Sequence, residues 1–164
     1  MGSESTGDAM PLVNVKKKVA KAGAKVGLEP GEQVLAGCTT NPSGTMKRMM
    51  AREAGGLVAA AIVDRNQGDA SAPGALADRF VAGQNFVVVT DRRVLLIKMG
   101  VMTGAPKELL ASWAHAEVAA ITVDSGTLAH PFTVTFSDGS AVQVEGARGS
   151  DPGSVGEAFA ALGH

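Results

Sequence analysis

A chain of 164 residues with 45% hydrophobic and 19% charged residues suits one domain with enough interior for a real core. Its single Cys excludes an intramolecular disulfide and any zinc site built on paired cysteines. A net charge of -1 and a pI near 6.3 speak against nucleic acid as a partner.

The near-neutral total hides an asymmetry. Residues 1–107 carry 14 Lys and Arg against 9 Asp and Glu, whereas residues 108–164 carry Arg148 alone against 7 acids. Such separation either steers the chain to an anionic partner or lets the basic half lie against the acidic half. Residues 1–11 are polar and do not resemble a signal peptide, and no apolar run reaches the roughly 20 residues that span a bilayer. The expectation is a cytoplasmic protein, with the inner membrane face as a peripheral station.

Residues 1–10 are expected to be disordered, being small and polar. From Pro11 to Val26 the spacing of Leu12, Val15, Val19, Ala22 and Val26 is helical, with Pro11 in the first turn and Gly27 as the stop. Lys16, Lys17, Lys18, Lys21 and Lys25 occupy the opposite face, which makes residues 11–27 an amphipathic basic helix. After the turn at 28–32, Gln33 to Thr39 predicts a strand, broken by Asn41-Pro42-Ser43-Gly44. A second helix is expected over 45–65, inside a helical insertion spanning 41–79. Along it, Ala51, Gly55, Gly56, Ala59 and Ala60 recur at steps that permit close approach of another backbone. Residues 67–78 carry Gly, Pro, Ser and Asp and predict a loop.

Beyond residue 80 the pattern becomes β. Phe86 to Thr90 and Arg93 to Met99 predict strands joined by a tight turn, with Val89 opposite Val94 and Val87 opposite Leu96. Both faces are apolar, so a helix, either 11–26 or 45–65, is expected to cover the face that the core does not. Residues 100–107 read as a connection. Short strands follow at 109–113, 119–123, 132–136 and 141–145, a rhythm of barrels and sandwiches. At Ser137-Asp138-Gly139-Ser140, a two-residue loop would set apolar residues opposite polar ones. A three-residue loop with left-handed Gly139 pairs Val134 with Val142 and Phe132 with Val144, so that register is expected. Asp151-Pro152 opens a last helix with Val155, Phe159 and Leu162 on one stripe and Gly163 as its stop.

Four segments carry a family resemblance: Leu28-Glu29-Pro30-Gly31-Glu32, residues 88–96 (VVTDRRVLL), residues 113–121 from Trp113 to Ile121, and Phe136-Ser137-Asp138-Gly139. Over residues 28–163 the chain resembles the bacterial pleckstrin-homology-like and GRAM-like domains. The resemblance implies an α+β, mostly β fold: a strongly bent seven-stranded barrel over residues 28–164, capped by the C-terminal helix. It also implies a recurrent tight turn at Asp91-Arg92-Arg93, where the Asp side chain can accept backbone N–H groups. Inositide-binding members keep a basic cluster between the first two strands. Here that place is taken by residues 41–79, whose Lys47, Arg48, Arg52 and Arg65 are spread along a helix, so inositide recognition is not implied.

No enzyme is read from this sequence. His115, His130 and His164 lack metal-ligand spacing, and Cys38 sits among small apolar residues with no local base. Neither a dinucleotide fingerprint nor a phosphate loop is present. Trp113 reads as core or barrel-rim packing. No cofactor or metal is expected. The functional expectation is a non-catalytic module docking a protein partner or an anionic membrane surface through Lys16, Lys17, Lys18, Lys21, Lys25, Lys47, Arg48 and Arg52. The alternative is an assembly protein, a homo-oligomer formed through the small-residue helix 45–65.

Overall fold

The computed structural model describes residues 14–42, 75–126 and 129–163. Expectations for residues 1–13, for the helix 45–65 and for His164 lie outside them.

Helix α1 (Val15–Ala22) opens on Asn14, whose Oδ1 accepts the Lys17 N–H at 3.0 Å. The helix therefore begins later than the expected Pro11. It passes at Gly23 into a 3-10 turn (Gly23–Val26), which ends on Gly27 in the left-handed region, as its expected role as a stop requires.

Among the described residues seven strands follow: β1 (Val34–Pro42), β2 (Asn85–Thr90), β3 (Arg93–Met99), β4 (Pro106–Ala114), β5 (Val118–Val123), β6 (His130–Phe136) and β7 (Ala141–Gly146). They form one antiparallel sheet in the order β4-β3-β2-β1-β7-β6-β5. The expected break at Asn41-Pro42 does not occur. Both residues belong to β1 and lie opposite Glu145 and Val144, because a proline that closes a strand forfeits only its own donor. Residues 76–79, the first three of which fall in the expected loop, form a 3-10 turn (Leu76–Arg79).

The sheet is open rather than a closed barrel. Strands β4 and β5 are its two ends, joined by the short turn His115–Glu117 and not paired with each other. Helix α2 (Pro152–Ala161) contacts β1 and β2 at the centre of the sheet and β5 at one end, which draws the sheet over the helix. Asp151 precedes it at φ 60° without a side-chain cap; Pro152 supplies the pre-set first turn instead.

Two apolar layers result, one on each face. Val87, Val89, Val94 and Leu96 pack with Trp113, Phe132, Val134, Phe136, Val155 and Phe159. Phe86, Val88, Leu95 and Ile97 pack with Val15, Val19 and Val26. The cover required by the two-faced β2–β3 hairpin is thus α1 with its 3-10 extension, and the register is the expected one. Close contact depends on Gly37, where an added Cβ would come within 2.7 Å of Val15 Cγ1.

The β6–β7 hairpin also has the expected register, with Val134 opposite Val142 and Phe132 opposite Val144. Gly139 sits at φ 89° with open space where a Cβ would be. Gly139→Ala should therefore cost about 1 kcal/mol through backbone strain alone. Denaturant unfolding measures it, and an unchanged midpoint would contradict this turn geometry.

Candidate functional site

The basic face is built by the same contacts that bury α1. Val15 and Val19 are turned into the sheet at 1% and 0% exposure, which fixes the rotation of the helix. Lys16, Lys17, Lys18 and Lys21, and Lys25 on the 3-10 turn, are consequently all exposed. Among the described residues none of the five is in an ion pair, so the basic half is not neutralised there by the acidic half. A pairing across the two halves does occur elsewhere, between Arg79 and Glu117 at 3.4 Å.

The face extends onto the β3–β4 hairpin. Lys18 Nζ reaches the Gly104 carbonyl at 3.4 Å, joining α1 to the hairpin loop. Lys98 and Lys107 line an open hollow of about 350 Å³ beneath that loop, together with Met99, Thr103 and Glu108. Lys98 lies opposite Glu108 in the ladder. Three lysines and one carboxylate therefore surround the base of the loop. Nothing in residues 100–107 marked them as part of a site; the available signal was two large apolar residues in a connection bounded by glycines.

A buried ion pair anchors the end of this helical segment. The Glu32 side chain is 0% exposed and receives Arg93 Nη2 at 2.9 Å and Nε at 3.0 Å, a two-pronged contact. The Glu29 amide donates to the same carboxylate at 2.9 Å and the Thr90 hydroxyl at 2.6 Å. Burial alone would push this carboxyl up, but the four hydrogen bonds and the Arg93 charge outweigh it and hold it down at about 2. Arg93 also donates to the Gly27 carbonyl at 2.6 Å, so the pair ties the end of the 3-10 turn to β3. In the β2–β3 turn the Arg92 and Arg93 amides are accepted by Thr90 Oγ1, not by Asp91. Asp91 instead accepts the Gln33 N–H at 3.0 Å, reaching across to the start of β1.

His115, His130, Cys38, Trp113, Asp138 and Ser140 are engaged within the fold. His115 Nε2 lies 3.0 Å from the Thr90 carbonyl, which can only accept, and its ring meets Phe159 edge-on. His130 Nδ1 lies 3.2 Å from the Asp124 carbonyl. Cys38 is fully buried and burial pushes its thiol up, the opposite of an activated nucleophile. Of the two expected places for Trp113, core and barrel rim, it takes the core. It lies between Phe80 and Phe136 and donates Nε1–H to the Leu76 carbonyl at 2.9 Å. Asp138 accepts the Leu76 amide, and Ser140 the Ala77 amide, fastening the chain where it enters the 76–79 turn. Hydrogen bonds from Ser140 and Leu76 hold the Asp138 carboxyl below its usual range.

Among the described residues no cluster of His, Cys, Asp or Glu could hold a metal ion, and no helix is long and apolar enough to cross a membrane. The candidate residues Lys47, Arg48, Arg52, Ala51, Gly55, Gly56, Ala59 and Ala60 lie outside the described residues. Comparison with protein-family models, curated proteins and solved structures finds no match for this chain.

Proposed function

We propose that this chain is a non-catalytic docking module that binds an anionic membrane surface peripherally, on a pleckstrin-homology-like scaffold. The observation that carries the reading is the exposed lysine band of α1, in no ion pair among the described residues and continued by Lys98 and Lys107 onto the neighbouring hairpin. Each lysine close to an anionic surface contributes on the order of 1 kcal/mol. A band of several, fixed on a helix whose apolar side is already buried, suits a planar array of charged headgroups better than one discrete ligand. The scaffold reading draws support from the central β1, the consecutive antiparallel strands on either side of it and the C-terminal helix packed on β1, β2 and β5.

The lysines also compare unfavourably with a protein-binding surface, where Lys is depleted and aromatic residues are enriched. The quadruple change of Lys16, Lys17, Lys18 and Lys21 to Gln tests the reading in a flotation assay. All four are exposed, so the fold should be retained while flotation with phosphatidylserine-containing vesicles is lost. Undiminished flotation of that variant would overturn it.

A further inference from the structure

We infer that the tip of the β3–β4 hairpin, Val101-Met102, is a wedge that enters the lipid boundary while the surrounding lysines engage headgroup phosphates. The inference rests on the membrane-docking reading above and specifies how the docked protein sits. Val101 is 83% exposed and Met102 94%, the most exposed large apolar residues among those described. The third, Val81, is at 48% and stands apart in the chain.

The exposure is built in. The Gly100 N–H donates to the Ala105 carbonyl and the Gly104 N–H to the Gly100 carbonyl, both at 2.8 Å. Thr103 Oγ1 accepts the Ala105 N–H at 3.2 Å, and Gly104 adopts φ 67° to close the loop. Two apolar side chains are thereby held outward on a tied loop, so little ordering is needed when they are buried. A bilayer boundary accepts such a tip to a depth of about 5–10 Å.

Charge complementarity names the occupant. Lys18 touches the loop at Gly104, and Lys98 and Lys107 stand at its base, with Glu108 as the one carboxylate. Lysine stems can lie along the apolar layer while their ammonium groups remain among the phosphates. An apolar point ringed by cations matches an anionic bilayer. A protein groove would be expected to meet aromatic or Arg anchors, and none surrounds the hollow under the loop.

The test uses the full chain carrying Met102→Cys, labelled with an environment-sensitive fluorophore. Cys38 is fully buried with its thiol pushed up, so labelling is selective for position 102. With phosphatidylcholine vesicles containing about one third phosphatidylserine, emission should rise and shift to the blue. Pure phosphatidylcholine should leave it unchanged. Emission that stays water-like while the protein co-sediments with the anionic vesicles overturns the wedge and leaves headgroup docking standing. Failure to co-sediment overturns both. A blue shift that depends on protein concentration without lipid would place a second copy on the tip and also overturn the wedge. As a second arm, the double change Val101→Ser, Met102→Ser should lower vesicle partitioning by about tenfold or more. The near-ultraviolet signal of the buried Trp113 reports that the fold is intact, and partitioning equal to wild type contradicts the inference.

Discussion

Arg93→Met should destabilise the protein by about 3–5 kcal/mol, because it leaves a fully buried carboxylate without its cation. The Glu32 side chain has no exposure to water, and the Glu29 amide and Thr90 hydroxyl cannot replace a two-pronged guanidinium. Changing Glu32 and Arg93 to Met together should be less damaging than Arg93→Met alone, since no charge is then stranded. The pH dependence has a definite sign. A carboxyl held at about 2 in the folded chain, against 4.5 ordinarily, contributes stability that is complete above about pH 4.5. That contribution, about 3 kcal/mol, is lost as the pH falls toward 2. Glu32→Gln should flatten this part of the profile. Denaturant midpoints across that range measure it, and a wild-type profile no steeper than that of Glu32→Gln would contradict the assignment.

Trp113→Ala should cost about 3–5 kcal/mol, the range for removing a large aromatic from a packed core. The indole is 2% exposed and lies between Phe80 and Phe136, so no neighbour can fill the space without leaving its own place. The loss should also reach the 76–79 turn, whose Leu76 carbonyl would lose its indole donor. Trp113→Phe should keep most of the packing and cost about 1 kcal/mol for the lost hydrogen bond. Equal stabilities for the two variants would show that volume is not what this position supplies.

What was legible in the sequence was legible because one physical rule decided it. The β6–β7 register followed from refusing to place Val134 opposite Gln143, and the structure sets Val134 opposite Val142. The cover over β2 and β3 followed from their two apolar faces, and α1 supplies it. The lysine face followed from helical spacing in a segment whose valines are buried. Features joining distant residues were not legible. Glu32 and Arg93 are 61 positions apart, and neither carries a local mark of the pair. The strand through Asn41 and Pro42 depends on pairing with β7, about a hundred residues later, and local turn propensity points the other way. The barrel expected from the resemblance is an open sheet because β4 and β5 meet only through the turn that joins them. Val101 and Met102 read as ordinary connection because exposure is a property of the folded hairpin, not of its residue types.

The central claim is attraction to an anionic surface, and flotation of the wild-type chain tests it most directly. Vesicles of pure phosphatidylcholine are compared with vesicles containing phosphatidylserine, at low salt and at about 0.15 M, where the Debye length is near 8 Å. The protein should float with the anionic vesicles, less strongly at the higher salt, and should remain at the bottom with the neutral ones. A chain that stays at the bottom with anionic vesicles even at low salt, or floats equally with both, would contradict the account.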